Sequence, residues 1–264
     1  MVARETATGV GSFVALGDSF TEGLDDPRAD QEGYLGWADR FAGMLAGQRP
    51  GLRYANLAVR GKTLRQVAEE QVPRAIAMAP DLVSLAAGGN DLLRPRGDPD
   101  ALAEDFDEAV RTLLMAGCQV LVFTGFDPRF PVLRLIRGKV AAYNMHLRAI
   151  ADRHQCLLVD LWSMRVLRDP HAWSADRLHL TPDGHRRVAL RTCEVLGMSA
   201  TADWREPWPA ADGPASSPAR AWLAARRRDV RWARVHAAPW VARRVRGVSS
   251  GDGIPPKRPE LLPL

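Results

Sequence analysis

The chain has 264 residues, 46% hydrophobic and 25% charged, with a formal net charge of +5. That balance suits one globular domain plus an appendage, or two small domains, with ample apolar material for a core. The charge is uneven: residues 199–264 hold 12 Arg and Lys against 6 Asp and Glu, so the basicity belongs to the C-terminal stretch and says little about what the main body acts on.

Three cysteines, Cys118, Cys156 and Cys193, stand at no close spacing. That argues against a disulfide framework or a zinc site and for buried thiols in a reduced compartment. No apolar run approaches the ~20 residues needed to span a bilayer. The N-terminus holds only the short apolar run Phe13–Leu16. A cytoplasmic chain with no targeting segment is expected.

Five short apolar runs read as strands: Ser12–Leu16, Leu52–Leu57, Asp81–Ala86, Gln119–Phe123 and Cys156–Asp160. Their composition suits strands buried on both faces. Helical patterns lie between them. Gly36–Ala46 places Trp37, Phe41 and Leu45 four apart, and Leu64–Met78 carries Leu64, Val67, Val72 and Ile76. Pro99–Ala116 and Val140–His154 read as longer helices, and Thr181–Leu196 opens with Pro182 and Asp183 as first-turn residues. Alternating strands and helices predict a mostly parallel sheet with right-handed crossovers, and ligands then bind beyond the carboxyl ends of its strands.

Beyond residue 198 the composition changes. Ala200–Pro218 reads as a linker or a surface arm. Ala219–Val245 is Arg-rich and helical in pattern, with Trp222, Trp232 and Trp240, and Gly247–Leu264 reads as extended. Three roles are open for this tail: packing on the core, self-association, or binding an anionic surface. Its tryptophans favour packing or an interface. No nucleic-acid recognition motif is present.

Four clusters carry chemistry. The first is Gly17-Asp18-Ser19 after the first strand. Such a serine can present its hydroxyl in a strand-to-helix turn, with helix N–H groups aimed at developing negative charge. Alone, it reads first as a helix cap. The second is Arg60-Gly61-Lys62-Thr63, where glycine lets a backbone N–H approach a ligand. A phosphate-binding P-loop would need glycine at Asn56, and the intervening residues are apolar, so that reading is set aside. The third is Gly88-Gly89-Asn90-Asp91, whose side-chain amide can donate to an oxyanion or simply shape a turn. The fourth is Asp176-Arg177-Leu178-His179, in which a carboxylate three residues away can orient an imidazole. His185 reads as a surface or helix-terminal residue. A metal cluster of Asp18, Asp91, Asp176 and His179 matches no zinc spacing. Ser19, Gly61, Asn90 and His179 all follow strand candidates and converge on one sheet edge.

These four blocks, in this order, resemble the SGNH hydrolase family, also called GDSL-type esterases and lipases. The resemblance covers roughly residues 12–196. Phe20 stands where leucine is common, and Leu57-Ala58 replaces a frequent glycine-containing pair. The stretch from His236 to Leu261 is similar to C-terminal extensions on actinobacterial members. The resemblance implies a catalytic domain over 10–198 and an extension over 199–264. It implies an α/β fold, a flavodoxin-like three-layer α/β/α sandwich with a five-stranded parallel sheet, plus a C-terminal helical extension. It implies ester hydrolysis with Ser19 as nucleophile, His179 as base and Asp176 orienting it. The Ser19 and Gly61 N–H groups and the Asn90 amide would hold the oxyanion. No cofactor or metal is expected, and the partner is a small-molecule ester. The absence of Gly-x-Ser-x-Gly disfavours nucleophile-elbow hydrolases. An acyltransferase using the same intermediate and a non-catalytic lipid- or carbohydrate-binding protein are the alternatives. Leu24, Leu92 and Phe126, with Leu93 and Phe130, are candidates to line an apolar substrate pocket, or are ordinary packing. The loop Gly125–Gly138 is placed to shape the site.

Overall fold

Every residue of the first strand, β1 (Ser12–Gly17), is buried. Its side chains alternate between two cores, as a period of two requires. Phe13 and Ala15 join a cluster with Trp37, Phe41, Val188 and Ala189, whereas Val14 and Leu16 join another with Val67, Phe106, Val110 and Leu147. The sheet therefore separates two helical layers. The computed structural model describes residues 9–29, 33–130, 133–199, 202–209, 226–227, 229–239, 242 and 248–264.

From β1 the chain turns through α1 (Ser19–Glu22) and α2 (Gly36–Gln48) into β2 (Arg53–Asn56). α3 (Leu64–Gln66), a π-turn over Val67–Gln71 and α4 (Val72–Met78) lead to β3 (Leu82–Ala86). α5 (Gly89–Leu92) and α6 (Pro99–Met115) precede β4 (Gln119–Phe123), and α7 (Arg137–Arg153) precedes β5 (Leu157–Val159). α8 (Pro182–Val195) follows, capped by the Thr181 hydroxyl, which accepts from the Gly184 N–H. α2 and α8 pack together on one face, and α6 and α7 on the other. The three-layer α/β/α arrangement that the family resemblance implies is present.

The sheet has six strands rather than five, in the order β5-β4-β3-β1-β2-β6. β1 to β5 are parallel, and β6 (Arg258–Pro263) runs antiparallel beside β2. The sixth strand comes from the tail. Its two prolines, Pro259 and Pro263, conceal it in the sequence, because proline cannot donate to a ladder and is confined to edge strands. As an edge strand, β6 covers backbone groups of β2 that would otherwise stand open. Trp222 and Trp240 lie outside the described residues. Cys118, Cys156 and Cys193 are buried free thiols.

One close backbone approach shapes the turn after α1. Gly23 sits at φ +93°, and a Cβ there would lie 2.5 Å from the Gly36 Cα. Glycine at both positions lets the loop cross the start of α2.

Lys257 fastens the start of β6. Its Nζ lies 2.9 Å from the buried Asp39 carboxylate and donates to the carbonyls of Tyr34 (3.1 Å) and Leu35 (2.8 Å). Removing one member of a buried pair typically costs about 3–5 kcal/mol. Arg28 and the Tyr54 hydroxyl remain on Asp39, so Lys257→Ala should cost about 2 kcal/mol, somewhat below that range. Urea unfolding measures it, and an unchanged midpoint would show that β6 is not held by this contact.

Candidate active site

The site forms where β1, β3 and β4 end and where the β5–α8 connection returns. β1 delivers Asp18 as the cap of α1, its carboxylate accepting from the Phe20 N–H at 3.1 Å. Ser19 is the first residue of that short helix. Its N–H, like that of Gly61, meets no backbone or side-chain acceptor among the described residues, as expected for a first-turn donor.

The Asp-His segment folds back on itself. Ser174 N–H donates to the His179 carbonyl (2.9 Å), and Arg177 N–H to the Ser174 carbonyl (2.9 Å). Arg177 adopts a left-handed φ of +60°. One Asp176 oxygen accepts from the N–H groups of Leu178 (2.9 Å) and His179 (3.0 Å). The other lies 2.5 Å from His179 Nδ1, and His179 Nε2 lies 2.9 Å from Ser19 Oγ. In the tautomer this pairing favours, Nδ1–H donates to Asp176 and Nε2 accepts from Ser19. The three residues singled out in the sequence are thus hydrogen-bonded in series.

The charges fit that order. Burial drives the His179 pKa down, but the hydrogen bond and charge of Asp176, backed by Asp25 and Asp18, lift it above its ordinary 6.5. Burial alone would raise Asp176, but His179 and two backbone N–H groups hold it below the usual carboxylate range. Asp18 is different: burial pushes it up to about 6 against the pull of the Phe20 N–H.

Asn90 stands at the same edge, but its amide is engaged. Nδ2 donates to Asp18 (3.0 Å) and to the Lys62 carbonyl (3.0 Å), which uses both of its hydrogens. An oxyanion could recruit this amide only by displacing one of them. Gly61 has φ +77° and is not part of the cavity wall.

A cavity of about 150 Å³ opens beside Ser19, Asn90 and His179. Its wall is mostly apolar and includes Leu92, Phe126 and Leu133. α7 contributes one face, Val140, Tyr143 and Leu147, at helical spacing. Leu92, Leu93 and Phe126 therefore do line a pocket, and Phe130 packs against Trp173 nearby. Leu24 does not line it, because the loop turns away after Gly23 and offers its backbone instead. The Leu24 carbonyl accepts from His185 Nε2 at 3.1 Å.

His185 is not a surface residue, being 1% exposed. Its Nδ1 accepts from the Trp37 N–H at 3.2 Å, so the ring ties α8 to α2 and to the loop after α1. The sequence offered only its place in a helix, and burial is a tertiary outcome. Asp25 was also missed. With Asp176 and His179 it forms the one group of possible metal ligands among the described residues, all ligand atoms within 4.8 Å. Those atoms already serve one another: Asp176 holds His179, and Asp25 accepts from the Ser174 hydroxyl at 2.6 Å.

Burial depresses the His185 pKa to about 4. The unfolded chain takes up this proton near pH 6.5 and the folded chain only near 4. The resulting stability is present above pH 6.5 and lost as the pH falls to about 4. His185→Gln should therefore lose most of its stability deficit relative to wild type between pH 7 and 4, as read from paired urea titrations. A constant deficit would exclude a neutral buried His185.

The model of the GDSL-like Lipase/Acylhydrolase family matches residues 15–187. An acetylxylan esterase of Geobacillus stearothermophilus is 25% identical over 203 residues, 69% of this chain and 92% of that protein. Among solved structures, LAE5, an alpha/beta hydrolase from the metagenome of Lake Arreo, has a TM-score of 0.62 at 23% identity, covering 72% of this chain and 95% of its own. A putative GDSL-like lipase from Parabacteroides merdae has a TM-score of 0.61 at 16% identity, covering 71% and 96%. The family match spans β1 to α8, the elements that carry Ser19, Asn90 and His179, and the chain belongs to the GDSL-like lipase/acylhydrolase family of carboxylic ester hydrolases.

Proposed function

We propose that the chain cleaves carboxylic esters through an acyl-enzyme on Ser19, and that its preferred acyl group is a chain of about six carbons. The observation that carries this reading is the Asp176–His179–Ser19 series opening on an apolar cavity.

Ser19 Oγ attacks the ester carbonyl carbon while its proton passes to His179 Nε2. Asp176 holds the ring in register and stabilises the imidazolium. The carbonyl oxygen becomes an oxyanion facing the Ser19 and Gly61 N–H groups, and Asn90 joins by releasing Asp18 or the Lys62 carbonyl. Each such donor is worth roughly 3–4 kcal/mol in the transition state. The tetrahedral intermediate collapses, the C–O bond to the alcohol breaks, and His179 protonates the leaving oxygen. Water, deprotonated by His179, then attacks the acyl carbon and releases the carboxylic acid, returning the proton to Ser19.

A cavity near 150 Å³ lined by Leu, Ile and Phe is large enough to take the six carbons of benzene. An acetyl group, the one named for the Geobacillus relative, would leave most of this wall without a contact. Each methylene moved from water into it is worth about 0.8 kcal/mol, or about fourfold in kcat/KM.

Five outcomes test the reading. Across a series of aryl esters, kcat/KM should climb from acetyl to about hexanoyl and then level off. Val140→Phe, which narrows the wall at α7, should lower hexanoyl turnover and spare acetyl. Ser19→Ala should abolish hydrolysis of every member, and wild-type activity in that variant would overturn the acyl-enzyme. A base must be neutral to act, and His179 is lifted above 6.5, so the acid limb of kcat/KM should fall above pH 6.5. Asp176→Asn should move that limb downward and reduce kcat by about 10⁴; a limb that stays in place would exclude His179 as the titrating base.

A further inference from the structure

Helical residues 229–239 of the tail lie against the Asp-His loop rather than along a core helix. Trp232 Nε1–H donates to the Asp176 carbonyl at 2.6 Å. Asp229 pairs with Arg177 at 2.7 Å. The Arg177 guanidinium lies 5.5 Å from the Trp232 ring and 5.7 Å from the Phe130 ring. Arg177 is also the residue at φ +60° that closes the turn between Asp176 and His179. A conformation unfavourable for a residue with a Cβ persists only where its surroundings enforce it. Here the turn's own hydrogen bonds, Arg177 N–H to the Ser174 carbonyl among them, are joined by groups from the tail.

The contact is directed rather than general. A cavity of about 360 Å³ remains under the helical segment, lined by Phe130, Leu133, Val230, Trp232 and Ala233 among others. Among the described residues, the tail is joined to the body here by the Trp232 hydrogen bond and the Asp229–Arg177–aromatic stack.

The same tail also meets the loop on the other side of the site. A Cβ on Gly251 would lie 2.0 Å from the Arg60 carbonyl, and a Cβ on Gly61 would lie 2.2 Å from the Ser249 hydroxyl. Residues 249–251 thus press on the turn that presents the Gly61 N–H. β6 follows directly and anchors this end in the sheet.

We infer that the C-terminal extension is a working part of the active site, with Trp232 and Asp229 acting as positioning residues for Asp176 and His179. This rests on the acyl-enzyme reading above. Among the described contacts Trp232 acts through the Asp176 carbonyl and Asp229 through the Arg177 guanidinium, rather than on Ser19 or His179 directly. Deleting the tail would strip β6 from the sheet, so point variants make the cleaner test.

The experiment measures kcat, KM and the pH profile on an aryl ester of medium chain length, together with an NMR titration of the His179 ring. The full-length variants are Trp232→Phe, Asp229→Asn and Gly251→Ala. Ser19→Ala and Trp208→Phe serve as controls. Trp208 likewise donates its Nε1–H to a backbone carbonyl, that of Val166 at 2.9 Å, but away from the Asp-His loop. Trp232→Phe and Asp229→Asn should lower kcat about ten- to a hundredfold, the scale of a small misplacement of catalytic groups, with KM little changed. The His179 pKa should fall in both variants, because a displaced Asp176 supports the imidazolium less. Gly251→Ala should lower kcat without moving that pKa, since it disturbs only the Gly61 side. Trp208→Phe should match wild type in all readings. Wild-type kcat and His179 pKa in Trp232→Phe, or equal changes in Trp208→Phe, would overturn the inference. Wild-type turnover by Ser19→Ala would instead overturn the acyl-enzyme reading itself, so the two failures are distinguishable.

Discussion

β1 is the constraint from which the rest of the molecule follows. It lies between β3 and β2 and is buried along its whole length, with each face feeding a separate core. A strand in that position has little room for polar chemistry along its body, because a buried polar group is costly unless it finds a partner, as Ser12 does on Asp81. Polar function is pushed to the carboxyl end, where the backbone leaves the sheet and the Ser19 helix begins. The neighbouring parallel strands share that direction, so their ends bring Asn90 and the wall of the cavity to the same edge.

Electrostatics at that edge are a contest between burial and pairing. His179 and Asp176 are both largely withdrawn from water, and burial by itself would favour their neutral forms. The short contact between them reverses this for both groups, so the histidine is a stronger base and the aspartate a stronger acid than burial would allow. Asp18 shows the unreversed case. Burial outweighs its N–H donors and the more distant charge of His179, and it remains elevated, to about 6. His185, with no carboxylate hydrogen-bonded to it, goes the opposite way from His179. Two histidines six residues apart are thus shifted in opposite directions: the Asp176 pairing lifts His179, and burial without such a partner lowers His185.

The tail departs from the picture of an appendage. Its last residues complete the sheet, and its helical segment and Gly251 touch loops on opposite sides of Ser19. A chain that uses its own terminus in this way links the integrity of its edge strand to the geometry of its site.

By itself, the sequence determined the alternation of buried strands and amphipathic helices. It also determined the order of the four polar blocks and the spacing that lets Asp176 fold back on His179. These are local properties: hydrophobic period, turn chemistry and a separation of three residues. Tertiary structure alone decided the sixth strand, whose prolines hide it until β2 offers an edge. It alone decided that His185 is buried, that Leu24 faces away from the cavity while Val140 and Leu147 face it, and that Asn90 is held by Asp18 and the Lys62 carbonyl. It also placed Trp232 on the Asp176 carbonyl across 56 residues of chain. Such facts depend on which distant surfaces meet, and no local pattern of residues encodes that.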